Sequence, residues 1–550
     1  MAPTRTAASR ACDGCKRRKV KCDTEIPCAN CSISQIECAY TIPQKKRGPR
    51  SSPKTLSPTP PISLGPASTI TGRATNTDTV IVCQLSTVNE PYPSPTFTSN
   101  RSLQIIQEGL YLALRPAVPY LNLLEIANNC INLYIQYTFP TAPLVHEPSL
   151  RAHAGLMFSN SPSGPLLETH DEQQRISLLR GFTLLTALCA SVASVMPENL
   201  LPYQQSLIQP FFQASRETLR LFEDHDLECP NSSSIATRVF HSTTLQSMTG
   251  KHGASWHLQG EATLIAMRMR LYDEKSLPIH DNVENQLLRL QFWHMYASDY
   301  TAATFQDRPF VLDESLFHSQ MTLQEYPPQS ASPTLLDPSN PWYTNEFEAQ
   351  LMVGFHFFHC VQTKGARLVL DMRKRVPLTQ NERQRLTQLY SEYTGLIDHI
   401  PQWLYVSQLH TTDTSEAARF HANCFWVQRC SILVTFHCLR LVIVRQSVES
   451  QLYDVVGLTT DSYAVLLKNM ELISEFLKTL DDIPFIFLKV KGEPTVERIR
   501  KVGSILLELI QITTDEVIKT RARAYSHRLL NVLASLDSKA SEALEMEPIN

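Results

Sequence analysis

Glycine is scarce in this sequence, with 17 residues in 550, and neither alternating strand patterns nor Asn-Gly hairpin turns are evident. The chain also lacks the Gly-x-Gly-x-x-Gly and P-loop motifs that hold phosphates, and the Gly-x-Ser-x-Gly turn that presents a nucleophilic serine. These absences disfavour a sheet-based fold and leave no recognisable catalytic machinery. The sequence therefore predicts a helical protein that is not an enzyme.

Long apolar segments are missing as well. The first ten residues are polar, so we expect no secretory signal. Two apolar stretches, Phe182–Met196 and Ser431–Val444, fall short of the roughly 20 residues that span a bilayer. The second is also interrupted by His437 and Arg440. We predict that both are buried helices and that the protein has no membrane partner.

Six cysteines near the amino terminus are spaced C-x2-C-x6-C-x5-C-x2-C-x6-C. Each C-x2-C pair can place two sulfurs on one tetrahedral zinc ion, with Zn–S bonds of about 2.3 Å. Six thiolates cannot give two zinc ions four unshared ligands each, so two sulfurs must bridge. Disulfides are the alternative, but they fit poorly without a secretory signal. The predicted ligands of the two zinc ions are Cys12, Cys15, Cys22, Cys28, Cys31 and Cys38.

Positive charge is concentrated around these cysteines. Residues 1–50 contain eleven lysines and arginines against four acidic side chains, whereas the whole chain has a formal net charge of −3. Such asymmetry is typical of a nucleic-acid-binding segment, so we expect double-stranded DNA as a partner. Any single basic side chain could instead be a solvated charge that balances the thiolates. The basic residues between the second and third cysteines are Lys16, Arg17, Arg18, Lys19 and Lys21.

The segments 11–23 and 27–31 resemble the fungal six-cysteine binuclear zinc cluster family of transcription factors, including the letters between the cysteines. The resemblance implies that Cys12 and Cys28 are the bridging thiolates. It assigns Cys15 and Cys22 to one zinc ion, and Cys31 and Cys38 to the other.

The same resemblance implies a short basic helix whose carboxyl end enters the DNA major groove and reads a CGG triplet. Lys19 is then the base-reading lysine, with Arg18 beside it, because lysine and arginine are the usual donors to guanine O6 and N7. We expect Lys16, Arg17 and Lys21 to contact phosphates, which fixes the register without reading sequence.

A second basic run contains Lys45, Lys46 and Arg47. It could contact phosphates outside the core site, or it could be a nuclear-import signal, and both roles are compatible. A charged linker without either role is the alternative. We expect the protein in the nucleus.

The segment 39–100 is basic at first and then rich in proline, serine and threonine, so it is predicted to be a linker. It separates a disordered N-terminus (1–11) and the cluster domain (12–38) from everything that follows. Many members of the family dimerise through a coiled coil at this place, but no sustained heptad is present here. Monomeric DNA binding and a homodimer formed through the large domain both stay open.

Residues 101–536 show helical periodicity and predict a large all-α domain. Representative apolar stripes run along 123–137, 466–477 and 502–512. Stretches that begin at Phe139, Trp256 and Phe292 resemble parts of the fungal transcription factor regulatory domain. The segment 537–550 alternates acidic and apolar residues, which is typical of an activation tail, although a frayed terminus gives the same pattern.

One cluster of metal-ligand residue types lies inside this helical domain. His356, His359 and Cys360 share a helical face, but the stretch around them is aromatic. Histidines in such surroundings are more often core residues than ligands, so we expect packing rather than a metal site.

Together these features predict a nuclear transcription factor of the RNA polymerase II type that recognises CGG-containing promoter elements. Its expected partners are DNA, the transcription machinery or coactivators, and a small-molecule effector of the helical domain. A secondary-metabolite gene cluster is the favoured target, and nutrient-utilisation genes are the alternative. The rivals from other classes are a zinc-dependent protein-interaction adaptor and an enzyme with an appended zinc module.

Overall fold

Helices make up nearly all of the regular structure, and no strand occurs within the described parts of the chain. The computed structural model describes residues 11–18, 22–24, 27–33, 37–40, 98–118, 120–159, 171–250, 252–278, 281–306, 308–325, 334–373, 378–409 and 415–536. They belong to two separate units, within 1–82 and 83–550. The predicted all-α class of the large domain is confirmed. Residues 41–97 of the predicted linker and the tail 537–550 lie outside the described residues, whereas residues 98–100, predicted as the end of the linker, belong to the first helix of the second unit.

The first unit contains two very short helices, α1 (Asp13–Arg18) and α2 (Ala29–Ile33). Each begins directly after a cysteine, and the carbonyls of Cys12 and Cys28 accept the first helical hydrogen bonds, from Lys16 and Ser32, both at 2.9 Å. Isolated helices of this length are unstable in water. The interior of the unit is made of cysteine sulfurs, so its folding free energy has to come from the metal.

Within the described ranges, the second unit is a bundle of seventeen α-helices of very different lengths. They are α3 (Thr98–Leu114), α4 (Leu123–Tyr137), α5 (Glu147–Phe158), α6 (Glu172–Val195), α7 (Gln204–Arg220), α8 (Glu223–Glu228), α9 (Ser232–Thr249), α10 (His252–Arg268), α11 (Asn282–Phe305), α12 (Asn345–Arg373), α13 (Gln380–Gly395), α14 (Val406–Leu409), α15 (Glu416–Glu449), α16 (Ser462–Asp482), α17 (Phe485–Lys489), α18 (Glu493–Ile512) and α19 (Glu516–Leu536).

Side-chain caps define where many of these helices begin. Asn231 and Ser234 form a reciprocal capping box at the start of α9, and Thr379 and Glu382 form another at α13. Such caps satisfy the backbone N–H groups that the first helical turn leaves without partners, and each contributes roughly 1 kcal/mol. The apolar stripes then bury one face of each helix. The stripe on α18 ends earlier than predicted, because Ile512 lies at the helix end and is 67% exposed.

The two long apolar stretches of the sequence lie in α6 and α15, at the centre of the second unit. Helix α6 packs on α7 and α9, and α15 packs on α12. Both α6 and α15 are long and apolar enough to cross a bilayer, but 83% of the most apolar window of each is buried inside the fold. They are interior helices, as the sequence predicted.

A buried ionic network joins α6, α8 and α9. The carboxylate of Asp226 lies 2.9 Å from Arg180 and 2.7 Å from Arg238, and it accepts a third hydrogen bond from Ser234 at 2.6 Å. Asp226 and Arg238 each have a side chain that is only 1% exposed. Removing one partner of such a network leaves charge buried without compensation.

Candidate metal centre and nucleic-acid interface

The sulfur atoms of the first unit converge on one small volume. The Sγ atoms of Cys12, Cys15, Cys28 and Cys31 all lie within 4.8 Å of one another. Closest approaches are 3.4 Å for Cys12 to Cys31, 3.5 Å for Cys15 to Cys28 and 3.7 Å for Cys12 to Cys28. Two cysteines from each half of the motif therefore meet across the helix pair.

These distances fit zinc coordination. With Zn–S bonds of about 2.3 Å, two sulfurs on the same tetrahedral ion are about 3.8 Å apart. The Sγ atoms of Cys12 and Cys28 are within this distance of each other. Cys12 is also within it of Cys31, and Cys28 is within it of Cys15. A sulfur that borders both halves is placed to be shared between two ions. The geometry thus suits a binuclear cluster.

Cys22 and Cys38 lie at the edge of this group and are half-buried. The Sγ of Cys38 accepts the backbone N–H of Cys28 at 3.3 Å, and the Sγ of Cys22 accepts that of Thr24 at 3.4 Å. Both therefore stand beside the four buried sulfurs, where they can complete the coordination of two ions.

Backbone amides favour the thiolate form in both halves. The N–H of Cys15 points at the Sγ of Cys12 at 3.3 Å, and the N–H of Cys31 points at the Sγ of Cys28 at 3.4 Å. The first of these hydrogen bonds lowers the pKa of Cys12 to about 6. By contrast, burial raises the pKa of Cys31 to about 12. Metal binding has to displace the protons of such thiols, so zinc affinity should fall at low pH.

Two polar contacts that sequence reasoning missed close the loops of this unit. The carboxylate of Asp23 accepts the backbone N–H of Ala29 at 2.8 Å, which ties the end of the first half to the start of α2. The N–H of Asp13 donates to the carbonyl of Ala39 at 2.8 Å, and Tyr40 packs against the sulfur group. The sequence offered one sign of the first contact, because Asp23 directly follows the third cysteine, Cys22.

The predicted DNA contacts are only partly within the described residues. Lys16 is exposed on α1, and Arg17 and Arg18 are the last two residues of that helix. The remaining predicted contacts lie outside the described residues: Lys19, Lys21, Lys45, Lys46 and Arg47. Their roles in DNA binding stay predictions.

The histidine–cysteine group of the large domain is a packing feature. His359 lies in α12, its Nδ1 is 2.9 Å from the carbonyl of Phe355, and burial lowers its pKa well below the usual range. Its ring contacts those of Phe355 and Phe358. Among the described residues, metal-competent groups of three or more side chains occur only around the amino-terminal cysteines.

Comparison with known proteins agrees with this geometry. Residues 10–47 match the family model of the fungal Zn(2)-Cys(6) binuclear cluster domain. A maltose fermentation regulatory protein of Saccharomyces cerevisiae is 48% identical over 46 residues, which cover 8% of this chain and 10% of that protein. The chain thus carries a binuclear cluster domain, and the predicted cofactor, two zinc ions, is confirmed.

Two longer matches extend beyond the cluster. Citrinin biosynthesis transcriptional activators of Monascus ruber and Monascus purpureus are each 23% identical over 364 residues, which cover 60% of this chain. The matches span 66% and 59% of those two proteins, so the chain matches less than two thirds of each of these relatives. These relatives are named as a regulatory protein and as transcriptional activators, which agrees with the prediction that the chain is not an enzyme.

Proposed function

We propose that this chain, which carries a fungal Zn(2)-Cys(6) binuclear cluster domain, is a nuclear transcription regulator that binds CGG-containing promoter elements. The observation that carries the proposal is the group of buried sulfurs at tetrahedral-edge distances, directly beside the basic helix α1. Such a group can hold a cationic helix rigidly enough to enter a duplex groove. The electrostatic attraction of the basic head to phosphates supplies affinity.

In the proposed cluster, Cys12 and Cys28 bridge the two zinc ions. Cys15 and Cys22 complete one ion, while Cys31 and Cys38 complete the other. The approaches of Cys12 to Cys31 and of Cys28 to Cys15, and of Cys12 to Cys28, support the shared positions of Cys12 and Cys28. When bound, the zinc ions supply cross-links that replace a hydrophobic core. The chain's own backbone amides orient the bridging sulfurs.

Metal content tests the ligand assignment. We expect the full-length protein to contain two zinc ions, and Cys28→Ser to lose most of both, because each ion loses a shared ligand. The matched control is Cys229→Ser, which changes an exposed cysteine in the other unit and should keep both ions. Elemental analysis and native mass spectrometry measure this directly. Retention of two tightly held ions by Cys28→Ser would show that Cys28 is not a bridge.

Base reading is assigned to Lys19, with Arg18 beside it, just past the end of α1. Lys16, Arg17 and Lys21 are assigned to phosphates, as are Lys45, Lys46 and Arg47 unless the latter run is used for nuclear import. Lys19→Ala should lower the preference for a CGG duplex over a scrambled one by about 1–3 kcal/mol. Lys16→Ala should weaken binding to both duplexes equally and reduce the salt slope by about one.

Fluorescence anisotropy across a salt series measures both effects. An unchanged CGG preference in Lys19→Ala would remove Lys19 from base reading. Binding that does not weaken with added salt would favour the zinc-dependent protein-interaction adaptor instead, because phosphate neutralisation makes DNA affinity salt-dependent.

We further propose a secondary-metabolite gene cluster as the regulated target. Support comes from the two citrinin biosynthesis activators, whose similarity spans 60% of this chain, whereas the similarity to the maltose regulator is confined to 8%. Nutrient-utilisation genes are the alternative target. A genome-wide map of occupied promoters decides between them: binding upstream of adjacent biosynthetic genes supports the first, and binding at dispersed carbon-source genes supports the second.

Activation through the tail 537–550 is a separate proposal, supported by its alternation of acidic and apolar residues. Deleting this tail should lower reporter output without changing DNA affinity. Unchanged output would assign recruitment of the transcription machinery to another surface.

A further inference from the structure

A cavity of about 270 Å³ lies in the helical unit, bordered by α6, α9, α10, α11, α12, α15, α18 and the loops that follow α4, α11 and α17. Its volume is close to the lower end of the range for small-molecule sites, roughly 300–1,000 Å³. Apolar side chains form part of the wall, including Val239, Phe240, Phe358 and Val434. The cavity is therefore suited in size and lining to a small organic molecule.

One wall of the cavity carries the amine of Lys491, which follows α17. Its Nζ donates a hydrogen bond to Thr141 Oγ1 at 2.6 Å, and within the described residues no carboxylate oxygen lies within salt-bridge distance. Burial lowers the pKa of Lys491 to about 8, and the nearby Arg498 adds to this effect. An amine in such a place is normally held with a counter-ion, because a buried charge without one is costly.

A second cation, Arg498 of α18, borders the same cavity and is 6% exposed. Its guanidinium donates to the carbonyl of Pro494 in its own helix, and its Cζ atom lies 5.8 Å from the ring centre of Phe305. Its buried Nε has no hydrogen-bond partner. Arg498 is likewise without a salt bridge among the described residues, so two neighbouring cations share one wall.

The acidic groups at the cavity have other partners. Glu497 Oε1 accepts hydrogen bonds from the amides of Gln246 at 3.0 Å and Gln306 at 2.7 Å. Glu493 lies 3.8 Å from Arg500. Their carboxylates are therefore engaged away from Lys491.

His294 adds a neutral polar group to the lining. Its Nδ1 is buried without a hydrogen-bond partner, and burial lowers its pKa to about 4. The imidazole is thus uncharged at neutral pH and can donate or accept one hydrogen bond. His294 is thus an uncharged residue at the cavity, beside two cations that have no salt bridge among the described residues.

We propose that this cavity binds a small organic anion, whose carboxylate pairs with Lys491 while its apolar body packs against the walls formed by α9, α12 and α15. The anion supplies the salt bridge that Lys491 and Arg498 do not make with any carboxylate of the described residues. Only the regulatory consequence of binding rests on the proposed transcriptional function. The site itself is a property of the helical unit and can be measured without DNA.

Benzoate is a suitable probe, with the nearly isosteric neutral benzamide as its matched control. We expect benzoate to bind the full-length zinc-loaded protein saturably and at least tenfold more tightly than benzamide. Isothermal titration calorimetry and ligand-induced shifts of the melting temperature measure this, at probe concentrations up to about 10 mM. Trp256 lines the cavity, so its fluorescence should respond.

Substitutions of Lys491 test whether its positive charge binds the carboxylate of benzoate. Lys491→Met should abolish the preference for benzoate, whereas Lys491→Arg should retain it. Lys478→Met makes the same change at an exposed lysine of α16 and should leave the preference intact. Circular dichroism of each unliganded variant establishes that it is folded, and the Lys491→Arg result stands by itself if Lys491→Met does not fold.

Three outcomes would overturn the proposal: no benzoate binding, equal binding of benzoate and benzamide, or an unchanged preference in folded Lys491→Met. Inorganic phosphate is tested as a second anionic probe of the cavity. Tighter binding of phosphate than of benzoate would assign the cavity to phosphorylated molecules and refute the carboxylate. Because benzoate binding is measured without DNA, and DNA affinity is measured without benzoate, failure of this site and failure of the DNA-binding assignment are distinguishable.

Discussion

Replacing Lys491 with methionine should stabilise the unliganded protein. Lys491 lies at the cavity wall with only a threonine hydroxyl as hydrogen-bond partner. Its pKa falls from 10.5 to about 8 on folding. At 1.36 kcal/mol per pH unit, this difference means that the charged amine costs the folded state about 3 kcal/mol at neutral pH. Losing the hydrogen bond to Thr141 offsets about 1 kcal/mol, so we expect a net gain of about 2 kcal/mol.

The pH dependence of the free energy of unfolding tests independently whether the charged amine of Lys491 destabilises the folded state. Because the pKa of Lys491 is lower in the folded state than in the unfolded state, the folded protein binds fewer protons between about pH 8 and pH 10.5. The free energy of unfolding should therefore gain a rising contribution across that window. Lys491→Met removes this contribution, so its stability should rise less steeply with pH than that of the unmodified protein.

Urea unfolding followed by far-UV circular dichroism at pH 7 and at pH 10 measures both quantities. Lys478→Met, at an exposed position, should change stability by less than about 0.5 kcal/mol at either pH. If Lys491→Met is instead destabilised by more than about 1 kcal/mol, or if its pH slope equals that of the unmodified protein, the buried amine is not the uncompensated cation described above.

Two further substitutions test packing, each against a matched control. Asp226→Ala removes the carboxylate shared by two buried arginines and should destabilise the protein by about 3–5 kcal/mol, whereas Glu228→Ala, in an exposed ion pair, should cost at most about 1 kcal/mol. Gly354→Ala should cost about 2 kcal/mol or more, because the new Cβ would lie 2.1 Å from the Gln428 side chain. Gly155→Ala meets no atom within 4 Å and should stabilise α5 by up to about 1 kcal/mol.

Thermal and urea unfolding measure all four variants. The Gln428 side chain cannot move aside freely, since its amide donates to two buried carbonyls, at 2.8 and 2.7 Å. If Asp226→Ala and Glu228→Ala lower the stability equally, the ionic network of α6, α8 and α9 contributes no more to stability than a surface ion pair. Similar stabilisation by both alanine substitutions would contradict the close approach of α12 and α15.

The zinc cluster and the helical class were readable from the sequence because each rests on local chemistry. The spacing of six cysteines limits which sulfurs can meet, since each C-x2-C pair spans one turn of chain. Apolar periodicity likewise predicts a helix and its buried face from neighbouring residues alone. It failed only where a helix ends, as at Ile512, because burial there depends on what the end of the helix meets.

Contacts between distant parts of the chain were decided by the tertiary structure alone. Thr141 and Lys491 are 350 residues apart, yet they share a hydrogen bond at a cavity that seven helices border. Asp226 meets Arg180 and Arg238 in the same way, through the packing of three helices. No local pattern marks these residues, because a charge in a helical stripe has the same sequence signature whether it faces water or a cavity. Only packing determines which side it faces, and therefore whether it needs a ligand.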